Sequence, residues 1–217
     1  MESPLRGRHA IAKDPAFRLI ETLGWHPGEG FRHLSTHVAR LARSAAAFDI
    51  PFSSAAIDAL LADVSDVVPL RCRLTLDAAG NGALNTAPLG DTAALWRLGI
   101  NETQLDPDDI WLQHKTTRRH VYDHARATLP PDVDEQLFLN TRGEICEGTI
   151  TNIFVTTTDG DVLTPPLTSG LLPGVLRHRL IAAGQAREAV LRLADLEAAA
   201  KIEMGNSLRG LILAHLV

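Results

Sequence analysis

In residues 71–77, RCRLTLD, polar and apolar side chains alternate strictly: Cys72, Leu74 and Leu76 interleave with Arg71, Arg73, Thr75 and Asp77. Such a period of two requires a strand with one buried and one exposed face. The AAGNG turn follows, and ALNTAPL is expected to pair back across it. Strands are also expected at 17–25 (FRLIETLGW), at TAALWRLG, at EQLFLN, along EICEGTITNIFVTTT and at the C-terminal SLRGLILAHLV, read as a buried strand. Between them lie helical patterns. Val38, Leu41, Ala45 and Phe48 have three-to-four spacing, with Ser35 or Thr36 as the expected cap and Leu34 as a staple. Ser53 or Ser54 caps AAIDALLADV. A helix from Thr116 or Thr117 is halted by Pro130 and Pro131. PGVLRHRLIAAG and LADLEAAAKI follow, the latter with Leu193, Leu196 and Ile202 as its apolar positions. Strands and helices in two groups, joined by the polar stretch 101–109, predict an α+β (α/β) protein of two domains. A small N-terminal α/β domain spans 1–104, and a larger C-terminal domain spans 105–217.

The net charge of −5 over 217 residues leaves no basic footprint for nucleic acid. No apolar run approaches the roughly 20 residues that cross a bilayer, and MESPLRGRHAIAKD lacks a secretory apolar core, so a cytoplasmic protein is expected. Cys72 and Cys146 have neither redox-pair nor zinc-knuckle spacing. His33 and His37, like His120 and His124, stand four apart, a spacing that can share a metal. Neither pair has an obvious third ligand, so no metal is expected.

Arginine far outnumbers lysine, and the only lysines are Lys13, Lys115 and Lys201. Chemistry that needs a lysine therefore has three candidates. Lys115 sits in HKTTRRHVY, where an apolar segment meets a helix start. Glu147 lies in an apolar β stretch, where a carboxylate is costly to bury without a cation or a strong donor. Arg40 stands among apolar neighbours and can pair with an anion. LPGVLR opens a helix whose free N–H groups can take a phosphate. A lysine, an acid, an arginine and a phosphate cradle together are the parts of a pyridoxal phosphate site.

The sequence resembles the class IV aminotransferases, the fold type IV pyridoxal phosphate enzymes. The resemblance is carried by IETL at 20–23, HVARLARSAAAF at 37–48, HKTTRRHVYDHAR at 114–126, NTRGEICEGTITNIF at 140–154, SGLLPGVLR at 169–177 and NSLRG at 206–210. It implies a D-amino-acid-aminotransferase-like fold with a β-barrel-like C-terminal domain, and pyridoxal 5′-phosphate as cofactor. In that likeness Lys115 is the Schiff-base lysine and proton shuttle, and Glu147 holds the pyridine nitrogen. Arg40, the backbone of Val175 and Leu176, and the Asn206–Ser207 segment hold the phosphate. Arg119 and Tyr122 face the substrate or, for Tyr122, a cofactor oxygen; Thr149 and Thr151 are as readily structural. Family members are usually longer before the ETL motif and are homodimers, so a homodimer is expected. Within the family the chain looks most like the 4-amino-4-deoxychorismate lyases. That likeness implies release of 4-aminobenzoate and pyruvate for folate synthesis, possible work beside an aminodeoxychorismate synthase, and a small amino substrate. Position 120, five after the lysine, is His rather than the tyrosine of branched-chain aminotransferases. The alternatives are an aminotransferase for D- or branched-chain amino acids, and a shortened non-catalytic homologue.

Overall fold

The computed structural model describes Ile11 and residues 14–217. The chain forms two compact units. Unit 1 comprises the residues up to Asp91 together with His114–Arg118; unit 2 comprises Thr92–Gln113 and Arg119–Val217.

Unit 1 is an antiparallel sheet in the order β2-β1-β3-β4, with β1 at Arg18–His26, β2 at Gly30–Phe31, β3 at Leu70–Asp77 and β4 at Gly82–Pro88. The alternation in β3 is realised: Leu70, Cys72, Leu74 and Leu76 are buried. One edge of β1 pairs with β3 from Arg18 to Trp25. The other edge pairs with β2 and, at Leu19, with Thr116. Helix α1 (Leu34–Ala47) buries His37, Arg40, Leu41, Ser44 and Ala45. Its N-cap is His33 in the left-handed region (φ 58°), with no side-chain cap, so neither Ser35 nor Thr36 fills the expected capping role. Helix α2 (Ser54–Ala62) is capped as expected by Ser53, whose Oγ accepts from the Ala56 N–H.

Unit 2 is an eight-stranded mixed sheet with α3 (His120–Ala127), α4 (Val175–Ala182) and α5 (Leu193–Glu197). Its strands run in the order β10 (Arg187–Glu188), β9 (Val162–Thr164), β8 (Asn152–Thr156), β11 (Lys201–Asn206), β12 (Gly210–Leu216), β5 (Leu95–Ile100), β6 (Glu135–Leu139), β7 (Ile145–Gly148). Five steps separate β8 from β7, about 24 Å in a flat sheet at about 4.8 Å per strand. Yet only residues 149–151 join them in the chain, a link that spans at most about 14 Å. The sheet must therefore curl, as the barrel-like expectation requires. Trp96, Leu98, Leu137, Ile145, Ile153, Val155, Ile202, Met204, Ile212 and Ala214 form one buried core cluster with Leu191 and Leu196.

Several elements depart from the sequence reading, each for a pairing reason. β5 hydrogen-bonds between β12 and β6, so it belongs to unit 2 although it precedes residue 105. Residues 101–109 are not a linker between modules: Leu105 bridges to Asn140 inside unit 2. Ile202 is not a position of the last helix, which ends at Glu197; it lies on β11, a strand the sequence reading did not separate. β12 is buried on one face only, with Ile212 and Ala214 in and Leu211 and Leu213 out. The expected long strand 144–158 is broken at 149–151. Among the described residues no helix is long and apolar enough to cross a membrane.

Candidate active site

The predicted site residues divide between the units: Arg40 and Lys115 lie in unit 1, the others in unit 2.

In unit 1 the centre is a residue to which the sequence reading gave no role. Glu21, in the middle of β1, is only 1% exposed. Its carboxylate accepts from Arg40 Nε at 2.8 Å and Nη2 at 2.7 Å, and Oε2 stands 2.6 Å from His37 Nδ1. Arg40 and His37 are one turn apart on α1, so a single helix face delivers both to the carboxylate. Burial alone would raise the Glu21 carboxyl; the charge and hydrogen bonds of Arg40, with those of His37, hold it down at about 2. His37 thus meets a carboxylate rather than His33, and among the described residues its Nε2 is buried without a hydrogen-bond partner. Lys115 is half-buried and fixed through its backbone. Its carbonyl accepts from the Ile20 N–H (2.8 Å), and the Thr117 N–H donates to the Arg18 carbonyl (2.9 Å). Lys115 thereby extends the sheet beside β1. Next to it, His114 Nδ1 lies 2.9 Å from Ser44 Oγ. Burial, then the nearby Arg43, pushes the His114 ring down to about 4.

In unit 2 the geometry turns on a β-bulge. Leu139 pairs with Ile145 and Leu137 with Gly148, so the single residue Phe138 faces two, Cys146 and Glu147. Strict alternation would send Glu147 to the side of Ile145, into the apolar interior. The extra residue re-aims it instead. Glu147 is 6% exposed, and its Oε1 accepts from the Tyr122 hydroxyl at 2.8 Å. Asn152 Nδ2 donates to Glu147 Oε2 (3.3 Å) and to the Leu172 carbonyl (3.0 Å). The spacing of Glu and Asn in EGTITN is thus a hydrogen bond across the break between β7 and β8. A Cβ on Gly174 would fall on Asn152 Oδ1, so the N-cap of α4 is seated against the same asparagine.

The break itself is wrapped around a second carboxylate the sequence reading missed. Glu135 is fully buried and accepts from Thr149 N–H and Oγ1, Thr151 Oγ1 (3.0 Å) and the Ile150 N–H (3.3 Å). Thr149 and Thr151 are therefore structural, and Gly148 has no room for a side chain because a Cβ there would fall 2.6 Å from Thr151 Oγ1 and 2.8 Å from Met204 Cε. From α3, Arg119 Nη2 donates to the Thr149 carbonyl (2.8 Å), and Arg126 Nη1 to Thr149 Oγ1 (3.1 Å). Arg119 also bonds Asp123. The bonds of Arg119 and Tyr122 thus go to the segment that carries Glu147.

No side chain caps α4, which leaves its first turn, with Val175 and Leu176, available to an anion. Leu176 lies against Gly205, so this turn packs on the end of β11 that leads into Asn206 and Ser207. Asn206 Oδ1 accepts from the N–H groups of Leu208 and Arg209, and Nδ2 donates to the Ile150 carbonyl. Unit 2 thus brings Glu147, Tyr122, Arg119, the start of α4 and the Asn206–Ser207 turn into one connected network. The free thiols contribute no nucleophile: both are buried, and burial followed by the charge of Glu147 pushes Cys146 well up.

The comparisons with known proteins bear on the family and the fold. The family described as amino-transferase class IV matches residues 18–216. A protein of Mesorhizobium loti described as an amino-acid aminotransferase is 42% identical, with 93% of this chain and 100% of that one covered and a TM-score of 0.86. A Legionella pneumophila protein described as a 4-amino-4-deoxychorismate lyase shares the fold at 22% identity, TM-score 0.80, covering 92% and 82%. A Thermotoga maritima protein described as a branched-chain amino acid aminotransferase shares it at 22% identity, TM-score 0.81, covering 96% and 80%. No match is found among curated proteins. With the family match running almost from end to end, the chain belongs to the class IV aminotransferases, a family of enzymes of mixed α+β, fold type IV architecture.

Proposed function

We propose that this chain is a pyridoxal-phosphate-dependent enzyme whose reaction is the cleavage of 4-amino-4-deoxychorismate to 4-aminobenzoate and pyruvate. The observation that carries the cofactor assignment is Glu147: a buried carboxylate, re-aimed by a bulge and steadied by neutral donors, suited to accept from a protonated ring nitrogen. The rest of the donor set fits the same group. The uncapped start of α4 and the adjoining Asn206–Ser207 turn offer N–H groups to a phosphate, and by the family likeness alone Arg40, whose guanidinium is held by Glu21, is assigned to the same phosphate. When bound, pyridoxal phosphate supplies an electron sink for the bond broken at the substrate α-carbon. With the cofactor bound, Glu147 would keep the ring nitrogen protonated, Lys115 would be the attachment amine and would carry the α-proton, and the α4 turn would hold the phosphate.

The lyase assignment rests on the likeness of HKTTRRHVYDHAR and NSLRG to the lyases and on His120 at the fifth position after Lys115. A second reading, an amino-acid aminotransferase, is favoured by the 42% identity to the Mesorhizobium loti protein. One assay separates them. Chorismate, an amidating synthase and ammonia are supplied to the cofactor-loaded enzyme, and pyruvate is followed. Pyruvate without added keto acid supports the lyase; turnover only with a keto acid supports the aminotransferase. The reading places the protein in the cytoplasm as a homodimer, and beside a synthase if the lyase assignment holds.

A further inference from the structure

We propose that Tyr122 is a positioning residue for Glu147: its hydroxyl fixes the carboxylate that meets the ring nitrogen, rather than touching substrate. The inference rests on the cofactor reading above and deepens it. Three observations carry it. First, the N-cap Arg119 and the α3 residues Tyr122 and Arg126 follow at spacings of three and four, and all three end on residues 147–149. Second, the Tyr122 ring is itself held: Phe138 meets it edge-on at 5.1 Å between centroids, and the Arg119 guanidinium lies 5.5 Å from its centroid. Phe138 is the residue opposite the bulge, so the ring that supports Tyr122 and the bulge that aims Glu147 belong to one piece of sheet. Third, the bond is directional. Burial, then the Glu147 charge, keeps the phenol protonated far above its ordinary range, so Tyr122 donates and Glu147 accepts.

Physically, a donor on a buried carboxylate does two things. It offsets part of the desolvation that would otherwise favour the neutral acid, and it removes rotational freedom about the last torsion of the glutamate. Both effects keep Glu147 charged and aimed. Neither reaches a ligand except through the ring nitrogen, and that gives the role a signature no purely structural residue shares.

The test is cofactor binding by the full chain, read from the visible absorbance of the bound cofactor and from ligand-induced fluorescence change. Pyridoxal phosphate is compared with an analogue carrying carbon at the ring-nitrogen position. Tyr122→Phe, which keeps the contact with Phe138, is expected to weaken pyridoxal phosphate about tenfold, the scale of a hydrogen bond to a charged group. It should leave the affinity for the analogue within about twofold, since the analogue has no nitrogen for Glu147 to serve. Glu147→Gln should abolish the difference between Tyr and Phe at 122. An equal loss with both ligands, or no loss with either, would overturn the proposal while leaving the cofactor reading intact. Failure of the unaltered chain to bind pyridoxal phosphate at all would overturn the cofactor reading, and this inference with it.

Discussion

Glu21 in unit 1 and Glu135 in unit 2 are buried carboxylates held in opposite ways, while Glu144 in unit 2 is paired with Arg142 much as Glu21 is with Arg40. Glu21 in unit 1 meets cationic or ring nitrogens: the two edges of Arg40 and the ring of His37. Glu135 in unit 2 meets peptide N–H groups and threonine hydroxyls, with Arg126 Nη1 more distant at 3.6 Å from its Oε1. Glu147 likewise takes Tyr122 and Asn152. An ion pair fixes a cation and neutralises the acid. Neutral donors fix an acid and leave its charge in place. The first arrangement suits a residue whose duty is to orient Arg40. The second suits a residue that must present its negative charge to something else.

The largest effect that would break this contrast concerns chemistry rather than burial. With Lys115 as the proposed attachment amine, Lys115→Ala should lower turnover on the order of 10³-fold or more. The pairing with β1 runs through the Lys115 backbone, which the substitution leaves in place. Turnover of the variant near that of the unaltered enzyme would remove Lys115 from the mechanism. The affinity for pyridoxal phosphate, measured on the same samples, separates lost chemistry from lost binding.

How much of this was legible in the sequence depends on which kind of contact makes each feature. Strand alternation and helix spacing are local, so β1, β3, β4, α1, α2 and the EGTITNIF region stand out. Strand partnership is not local. Nothing in TAALWRLG states that β5 will insert between β12 and β6, which is why the division at 104/105 differs from the units of the structure. Lys115, Glu147 and Arg40 stand out in the sequence because their residue types are unusual where they stand. Glu21 carried the same signal, a carboxylate inside the apolar run FRLIETLGW, and could have been found by the argument applied to Glu147. Glu135 and Asn152 could not: their roles depend on a turn wrapping around one and a helix start seating on the other. The bulge opposite Phe138 was equally silent, since a period-two reading of EICEG turns Glu147 inward with Ile145.

The next effect in size sharpens the contrast directly. Glu21→Gln leaves Arg40 buried against a neutral amide, and breaking a buried pair in this way costs about 3–5 kcal/mol. Glu135→Gln removes a charge whose closest partners are neutral; it should cost about 1–3 kcal/mol, the range for leaving buried donors poorly satisfied. Urea unfolding of both variants tests the order, and a larger loss for Glu135→Gln would reverse the reading. The pH dependence follows the same line. Glu21 titrates near 2 in the folded state against 4.5 ordinarily, so its contribution is complete above about pH 4.5 and disappears as pH falls toward 2. The unaltered protein should lose stability over that window more steeply than Glu21→Gln does.

The smallest effect probes the neutral network at its thinnest point. Asn152 spends one amide nitrogen on two acceptors, Glu147 Oε2 at 3.3 Å and the Leu172 carbonyl at 3.0 Å, while its Oδ1 lies where Gly174 can have no side chain. Asn152→Ala removes both bonds and leaves space beside the α4 N-cap. The Leu172 carbonyl loses this donor, and the stability loss should be about 1–2 kcal/mol, the cost of one poorly satisfied polar group. The more telling readout is the cofactor. The start of α4 is assigned to the phosphate and Glu147 to the ring nitrogen, and Asn152 touches the supports of both. Its loss should therefore weaken binding of inorganic phosphate as well as of pyridoxal phosphate, whereas Tyr122→Phe should leave inorganic phosphate untouched. If the two variants behave alike toward inorganic phosphate, Asn152 does not link the two supports, and the unit 2 site is two independent pieces rather than one network.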